Sequence, residues 1–252
     1  MSLIKIFNET LEARKDYVSK KAPHFKIKPS VIGSPCMRKI FYSSGMVPQD
    51  FDTDLAGKKR MAIGQAVHDM LQSIFDESGK LIKYRKPDGT FEKDWKTGED
   101  DYEFQLVEPD LYVEKGKIDA VVVIDGQLWL GEFKSINKKG FSELYVPKKD
   151  HVIQAVIYWF SFNRALSEGK FSHIPELAGF TKAEGVRFLY VNKDDTDAKE
   201  FILTEADSLF AEIVQKIMLA KANHDAQILP PKTKDFCGSC PWRLKCAKNQ
   251  LK

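Results

Sequence analysis

The chain has 252 residues, 43% of them hydrophobic and 30% charged, with a formal net charge of +3. This composition is that of a globular protein with a substantial core, and the small net charge does not by itself indicate a nucleic-acid partner. No apolar run approaches the roughly 20 residues that a membrane-spanning helix needs. The first residues lack the basic segment and long apolar stretch of a signal peptide, so we expect a cytoplasmic protein without membrane contact.

Hydrophobic periodicity and turn signals predict helices and short strands along the chain. In chain order we predict a helix within residues 1–20, a helix at 36–42, a long helix at 55–77, loops or a small hairpin at 83–101, strands at 102–107, 111–113, 117–124 and 127–134, a helix at 150–163, strands at 185–191 and 199–203, and a helix capped by Thr204 that ends near Ala222. This order indicates a mixed α/β sheet flanked by helices.

The pair Asp125-Gly126 separates two runs of β-branched and aromatic residues, a strong signal for a two-residue hairpin turn. Such a turn pairs Ile124 with Gln127, and the same register places Asp119 opposite Glu132. Side chains directly opposite on one face of a sheet lie about 4.5–5.5 Å apart, where like charges repel each other. We therefore expect a divalent cation between the two carboxylates.

Three further residues complete this predicted metal site. His68, on the long helix, would supply an imidazole nitrogen, and the backbone carbonyl of Phe133 would supply another oxygen. One nitrogen combined with carboxylate oxygens favours Mg²⁺ or Mn²⁺ with open water positions. Lys134 returns to the sheet face of Glu132 because successive side chains of a strand alternate. Two carboxylates, a cation and a lysine outline a hydrolytic site.

Gln154 and Tyr158 stand four residues apart on an otherwise apolar predicted helix, so both project from one face. A buried polar group without a partner costs roughly 1–3 kcal/mol, so both side chains need partners. Two interpretations remain open at this point. Either the side chains bond to the backbone within the core, or they reach the sheet and bind Lys134 or a substrate phosphate.

Three of the four cysteines are crowded near the C-terminus, where Cys237, Cys240 and Cys246 form a C-x2-C-x5-C run. The fourth, Cys36, lies far upstream. In an intracellular chain this spacing predicts a metal site rather than disulfides. Four thiolates suit tetrahedral zinc or an iron–sulphur cluster, and spacing alone does not distinguish the two. Either group would tie distant parts of the chain together.

The motifs occur in an order that resembles the RecB-like branch of the PD-(D/E)XK nucleases. The cysteines resemble those of its iron–sulphur subgroup, which includes the CRISPR-associated RecB-like exonucleases and the AddB-type nuclease domains. The resemblance extends from Cys36 to Cys246, and Ile118 departs from it where the family's name-giving proline would precede the aspartate. The nuclease motifs are His68, Asp119, Glu132-Phe133-Lys134 and Gln154-x3-Tyr158.

The resemblance implies a restriction-endonuclease-like fold, with a central mixed sheet flanked by helices in one domain spanning residues 1–252. It implies a [4Fe–4S] cluster rather than zinc, held in a lobe formed by the Cys36 region and residues 230–252. The implied activity is that of a Mg²⁺- or Mn²⁺-dependent deoxyribonuclease, an exonuclease acting on single-stranded DNA or DNA ends. Homo-oligomers and partner proteins of recombination or CRISPR systems are compatible with this resemblance.

The resemblance also assigns roles to residues. It implies metal ligation by His68, Asp119, Glu132 and Phe133, and cluster ligation by the four cysteines. We further expect basic residues of the tail, such as Arg243 and Lys245, to follow DNA phosphates. The catalytic residues that it implies are Asp119, Glu132, Lys134, Gln154 and Tyr158.

Three other classes of function compete with a DNA nuclease. The first is a DNA-binding or assembly subunit that keeps the nuclease fold but performs little catalysis, with structural zinc or an iron–sulphur cluster. The second is an RNA-processing protein with a zinc ribbon, distinguished by its metal content and by a preference for RNA. The third is a hydrolase of small phosphate esters, which would not need a tail with six Lys or Arg residues against the single acid Asp235 between Pro230 and Lys252.

Overall fold

The computed structural model describes residues 2–14, 25–45, 47–93, 98, 100–233, 237–238 and 240–251. Within these ranges the α-helices are α1 (Leu3–Ala13), α2 (Pro29–Ile32), α3 (Met37–Ser44), α4 (Leu55–Glu77), α5 (Lys138–Ser142), α6 (Lys149–Ser167), α7 (Asp207–Asp225) and α8 (Arg243–Ala247). The strands are β1 (Glu92–Lys93), β2 (Asp100–Asp101), β3 (Phe104–Glu108), β4 (Val113–Ile118), β5 (Ala120–Ile124), β6 (Gln127–Ile136), β7 (Gly185–Asn192) and β8 (Ala198–Leu203).

A central sheet of four strands has the order β5-β6-β7-β8. β5 and β6 are antiparallel, β6 and β7 are parallel, and β8 is antiparallel to β7. Ile124 lies opposite Gln127, so the predicted hairpin register is confirmed. Asp125 and Gly126 have φ angles of 51° and 75°, and two left-handed residues are what a tight hairpin turn of this kind requires. The predicted mixed sheet flanked by helices is therefore confirmed.

Helices cover both faces of this sheet. On one face, Leu130 of β6 and Phe188 of β7 pack with the apolar residues of α6, among them Ile157. On the other face, Trp129 and Phe133 of β6 pack with Leu71 of α4. Because side chains alternate along β6, Glu132 and Lys134 lie on the α6 face. The most apolar predicted helix, α6, is accordingly buried along most of its length.

The strand predicted at residues 117–124 is interrupted at Asp119. β4 ends at Ile118, which pairs with Phe104 of β3, whereas β5 begins at Ala120 and pairs with β6. Asp119 lies in the bend between them, where the chain changes its partner strand. Because Asp119 lies in a bend, the direction of its side chain is not set by the alternation of side chains along a strand.

Two other predicted elements differ from the structure. Of the strand predicted at 111–113, only Val113 is in a strand, because Pro109–Leu111 is a short 3₁₀ helix and Tyr112 is left-handed, with a φ of 56°. Proline restricts φ at the start of this turn, so the strand begins only at Val113. The final long helix begins at Asp207, and no side chain caps it. Thr204 is not its cap, since pairing of β8 with β7 keeps the preceding chain extended through Leu203.

The other predicted helices and strands lie within a few residues of their observed bounds, including α4, which matches its prediction. The small hairpin predicted within residues 83–101 is represented by β1 and β2, which pair antiparallel. Part of the predicted N-terminal helix, residues 15–20, lies outside the described residues. Among the described helices, none has the length and apolar character needed to cross a membrane.

Candidate active site

The centre of the site is a contact between α4 and the bend at Asp119. His68 Nε2 lies 3.1 Å from Asp119 Oδ1. The other oxygen of this carboxylate, Oδ2, accepts a hydrogen bond of 2.7 Å from the backbone N–H of Phe133. Asp119 is thereby fixed to the strand that carries Glu132 and Lys134, and His68 approaches it from α4. The structure brings these predicted residues together.

A third acidic residue, Glu103, completes the cluster around His68 and Asp119. Its Oε1 lies 3.7 Å from His68 Nε2. One ligand atom from each of these three residues falls within 4.8 Å of the other two, and all three residues are half-buried. Gln72 Nε2 donates to Glu103 Oε1 at 2.9 Å, and Lys117 Nζ lies 2.8 Å from Glu103 Oε2. These contacts fix the direction of the Glu103 carboxylate.

The sequence analysis missed Glu103 because its proximity to Asp119 depends on the register of β3 and β4. Phe104 pairs with Ile118, so the next residues outward, Glu103 and Asp119, lie across from each other. The register could not be read from the sequence, because the connection contains a 3₁₀ turn and a shift between Leu106 and Glu108. The alternating pattern of β3 was the only signal available.

Buried Glu132 and half-buried Lys134 contact each other directly on the α6 face of β6. Glu132 is only 2% exposed. Burial, together with the negative charge of Asp119, raises the pKa of Glu132 to about 8 although the charge of Lys134 opposes the shift. Glu132 is thus a site residue, but its carboxylate contacts Lys134 rather than the His68–Glu103–Asp119 group.

The two basic side chains of the site, Lys134 and His68, each lie beside carboxylates that raise their pKa values. Burial alone would lower the pKa of Lys134, but the charges of Glu132 and Asp119 outweigh it and raise that pKa above its usual value. Burial would likewise lower the pKa of His68, and the hydrogen bond and charge of Asp119 raise it instead. Lys134 is therefore a cation at neutral pH, suited to stabilising negative charge rather than to accepting a proton.

Gln154 and Tyr158 project from the face of α6 that lies over the sheet. Gln154 Nε2 donates to the hydroxyl of Tyr158 at 3.4 Å. Tyr158 is 8% exposed, and burial followed by the charge of Glu132 raises its pKa. A Cβ atom on Gly116 of β4 would lie 2.6 Å from the Tyr158 ring, so this ring packs directly on the glycine backbone. Tyr158 therefore lies against β4 and within reach of the charge of Glu132.

A histidine that the sequence analysis overlooked shares this face of α6. His151, Gln154 and Tyr158 are spaced i, i+3 and i+7, which places them along one stripe of the helix. His151 Nδ1 lies 2.7 Å from the hydroxyl of Tyr190. Tyr190 of β7 pairs with Lys134 of β6. The stripe spacing was a usable signal in the sequence, and it extends the site along the first turns of α6.

The donor set around His68 fits a small, hard divalent cation. Imidazole nitrogen and carboxylate oxygens are ligands that Mn²⁺ and Mg²⁺ accept, and the atoms converge within one coordination sphere. The backbone of Phe133 is adjacent, since its N–H bonds to Asp119. The arrangement can hold a cation against Asp119 with the Lys134 ammonium nearby, which suits hydrolysis of a phosphate ester.

The four cysteines line one cavity of about 200 Å³ in a different part of the molecule. Cys36 precedes α3, and the other three belong to the C-terminal tail around α8. Among the described residues, no three cysteine sulfurs approach within 4.8 Å of one another. Four sulfurs bound to one zinc ion lie about 3.8 Å apart, given Zn–S bonds of about 2.3 Å in a tetrahedron. The four thiols thus share one cavity, but they are not arranged as the closed tetrahedron of a bound zinc ion.

Polar contacts attach the tail to α3 independently of the cysteines. Arg38, 7% exposed, donates from Nε to the Pro230 carbonyl at 2.8 Å and from Nη1 to Asn249 Oδ1 at 2.8 Å. The hydroxyl of Tyr42 donates to the Gln250 carbonyl at 2.8 Å. The Cys36 region and the tail are therefore packed together, as a shared group on the four cysteines requires.

One of the two basic tail residues expected to follow DNA phosphates has an internal role instead. Lys245 Nζ lies 3.2 Å from Asp50 Oδ1. The same carboxylate accepts from the backbone N–H groups of Leu244 and Lys245, at 2.6 and 3.2 Å, and so caps the start of α8. Arg243 lies over the ring of Phe51, 5.0 Å from its centre, and lines the cysteine cavity.

These features define a mixed α/β protein with a histidine–carboxylate–lysine cluster beside its central sheet. No protein-family profile matches the chain, and no curated protein sequence matches it. The solved structure of SSO0001 has a TM-score of 0.52 and 16% sequence identity, covering 97% of this chain and 96% of that chain. An alkaline exonuclease, LHK-Exo from Laribacter hongkongensis, has a TM-score of 0.47 and 14% identity, covering 80% of this chain and 89% of that chain. The similarity to SSO0001 establishes a common fold.

Proposed function

We propose that the protein is a Mg²⁺- or Mn²⁺-dependent deoxyribonuclease, an exonuclease that hydrolyses phosphodiester bonds of single-stranded DNA or at DNA ends. One observation carries the proposal: ligand atoms of His68, Glu103 and Asp119 lie within 4.8 Å of one another, and the Glu132–Lys134 contact lies beside them. The resemblance of the motifs to RecB-like PD-(D/E)XK nucleases supports the same class. A role in recombination, repair or the processing of phage or CRISPR DNA would follow.

The residues proposed to hold the cation are His68, Asp119, Glu132 and the Phe133 carbonyl, and the structure adds Glu103 to the candidates. A bound Mg²⁺ or Mn²⁺ would polarise the scissile phosphate and lower the pKa of an attacking water. Asp119 is the residue best fixed for this role, because Phe133 holds one oxygen while the other faces His68. The remaining steps depend on the protein's own side chains.

Lys134 supplies a fixed positive charge where negative charge develops on the phosphate. Its contact with Glu132 orients the ammonium group, and its raised pKa keeps it protonated. A charge placed in advance in a partly buried site stabilises a transition state more than it would in water. We propose that Lys134 also orients the attacking water.

Gln154 and Tyr158 position the substrate and Lys134. The bond between them, 3.4 Å long, directs the Tyr158 hydroxyl along the face of α6 that carries the site. Because its pKa is raised, Tyr158 stays protonated and can donate to a phosphate oxygen. Gln154 retains further amide hydrogen-bonding capacity for Lys134 or a neighbouring phosphate.

For the cysteine cavity we propose a [4Fe–4S] cluster that stabilises the contact between α3 and the C-terminal tail. The support is that four thiols line one cavity and that their order in the sequence resembles that of the iron–sulphur subgroup. Lys39, Lys232 and Arg243 also line this cavity and would face the negative charge of a thiolate-bound cluster. Iron and acid-labile sulphide in anaerobically purified protein would support this, whereas stoichiometric zinc would contradict it.

The activity is tested by digesting end-labelled oligonucleotides with Mn²⁺ or Mg²⁺ and with excess EDTA. We expect cleavage of DNA that EDTA abolishes, and a fall of at least about 100-fold in Asp119→Asn and Lys134→Ala, the range seen when a charge-stabilising group is removed. Glu143→Gln, an exposed acid at the end of α5, is the matched control and should be unaffected.

The same assay separates the competing functions. Preferential cleavage of RNA, or of small phosphate esters that DNA does not inhibit, would replace the proposed substrate. Undiminished DNA cleavage in Asp119→Asn or Lys134→Ala would remove the proposed site. Tight DNA binding without cleavage by the wild type would indicate the non-catalytic subunit.

A further inference from the structure

We propose that His151 donates a hydrogen bond from Nε2 to a non-bridging oxygen of the scissile phosphate, in the tautomer fixed by Tyr190. This inference rests on the proposed nuclease function and adds a substrate-binding residue to it. Three observations support it: the position of His151 on α6, the hydrogen-bond network at Nδ1, and the open environment of Nε2.

The position of His151 relates it to the other residues of the site. It shares one stripe of α6 with Gln154 and Tyr158, and its partner Tyr190 pairs with Lys134 across β6 and β7. His151 also lies in the first turn of a 19-residue helix, where the helix dipole favours negative charge. A phosphate adjacent to Lys134 would therefore be within the region that this side chain borders.

The network at Nδ1 determines which nitrogen carries the proton. Tyr190 is fully buried, and its hydroxyl accepts a hydrogen bond of 3.1 Å from the backbone N–H of Lys148. The hydroxyl proton still needs an acceptor, because buried polar groups are almost always bonded. Among the described residues, His151 Nδ1, at 2.7 Å, is the only such acceptor near it. Nδ1 thus accepts, and the proton of the neutral imidazole is on Nε2.

The charge state of His151 agrees with the assignment of its proton to Nε2. Burial, followed by the positive charge of Lys134, lowers the pKa of His151 to about 4. Burial also raises the pKa of Tyr190 to about 12, so the hydroxyl remains a donor at neutral pH. His151 is therefore neutral with one N–H, which can bind a phosphate oxygen but is not poised as a general acid.

Nε2 is free to meet a substrate. It has no hydrogen-bond partner among the described residues, and it is not one of the fully buried side-chain atoms that lack a partner, so on this half-buried ring it keeps some exposure to solvent. A donor fixed at one end by a buried tyrosine and open at the other is preorganised for a ligand. Lys134 and His151 would then contribute a charge and a neutral donor to the same phosphate.

The test compares variants that separate the two ring nitrogens. His151→Asn can accept from Tyr190 at the position of Nδ1 but offers no donor at that of Nε2, whereas the amide nitrogen of His151→Gln can reach the position of Nε2. We expect the single-turnover cleavage rate with Mn²⁺ to fall about 10- to 100-fold in His151→Ala and His151→Asn, and His151→Gln to recover most of it. His173→Gln, a histidine bonded to the Arg85 carbonyl, is the matched control.

Two further measurements exclude a merely structural effect. The melting temperature of each variant should stay near that of the wild type. Nitrogen-15 NMR of the metal-free protein should show the Nε2–H tautomer of His151, with an Nδ1 signal shifted by a hydrogen bond that Tyr190→Phe removes. The proposal would be overturned if the cleavage rate fell equally in His151→Gln and His151→Ala while both variants stayed folded. An Nδ1–H tautomer in the wild type would overturn it as well.

The outcome also distinguishes this inference from the proposed function. If the wild type cleaves DNA and Lys134→Ala does not, but His151→Ala cleaves at the wild-type rate, only the role of His151 is wrong. If the wild type does not cleave DNA in either metal, the nuclease proposal itself fails.

Discussion

At the scale of single residues, strand alternation and helix spacing predicted most of the candidate site. The register set by Asp125-Gly126 placed Asp119 near β6, and the alternation along that strand placed Glu132 and Lys134 on one face. Glu103 was missed because its position depends on an irregular connection between β3 and β4. His151 was missed although its spacing from Gln154 was visible, because its partner Tyr190 comes from a distant strand.

The burial of Glu132 leads to a prediction about pH in the metal-free protein. Its folded-state pKa of about 8 is raised above the ordinary value of 4.5 by burial and by Asp119. The folded protein then binds more protons than the unfolded chain between these values, so the free energy of unfolding decreases as pH rises from about 5 to 8. We expect a lower melting temperature at pH 8 than at pH 5.5 in EDTA, and a smaller difference in Glu132→Gln.

Other groups around Glu132 also affect this pH dependence. His68 on α4 has a raised pKa and acts in the same direction, while the raised pKa values of Lys134 and Tyr158 keep both groups protonated in this range. The comparison with Glu132→Gln isolates the contribution of Glu132. An identical pH dependence of the melting temperature in both proteins would contradict the assignment of its raised pKa.

At the scale of elements, packing decides which of the helices and strands predicted from local sequence are present in the structure. α4 and α6 formed as their apolar patterns predicted, because each covers one face of the sheet. The strand expected at residues 117–124 is interrupted at Asp119. β4, before the bend, pairs with β3, and β5, after it, pairs with β6, and the local sequence does not reveal this change of partner. The short helix α8 depends on a cap from Asp50, which is far away in sequence.

The packing of α6 against β4 predicts opposite effects for two glycine substitutions. Gly116→Ala would place a Cβ 2.6 Å from the Tyr158 ring, so we expect it to destabilise the fold by about 1–3 kcal/mol and to reduce cleavage. Gly64→Ala in α4 would meet Ser135 Oγ at 3.7 Å, an ordinary contact, and should stabilise the fold by about 0.5–1 kcal/mol through helix propensity. Chemical denaturation measures both.

The contrast between the two variants is the control. If Gly116→Ala is as stable as the wild type, Tyr158 does not pack on the β4 backbone as described. Its role beside Glu132 and Lys134 would then have to be abandoned.

At the scale of the whole molecule, the chain brings distant segments together twice. The site joins α4, the β3–β4 pair, β6 and α6, and the cysteine cavity joins α3 with the C-terminal tail. The sequence predicted the second association from cysteine spacing alone. It could not predict that Arg38, Tyr42 and Asp50 would attach the tail by hydrogen bonds as well.

The group proposed to bind the four cysteines predicts non-additive effects of cysteine substitutions on stability. We expect Cys36→Ser and Cys240→Ser each to lower the melting temperature, and the double variant to be little worse than either, because losing one ligand already releases the group. Additive losses of stability would indicate four independent thiols. Thermal unfolding of anaerobically purified variants makes this comparison.

The account depends most on a cation bound between α4 and the bend at Asp119. The most direct test is the anomalous scattering of manganese in crystals soaked in MnCl₂. We expect a peak within about 2.4 Å of His68 Nε2 and of an Asp119 oxygen, bordered by Glu103 or Glu132. Crystals that show these side chains ordered with no peak between them would contradict the metal site and, with it, the proposed nuclease.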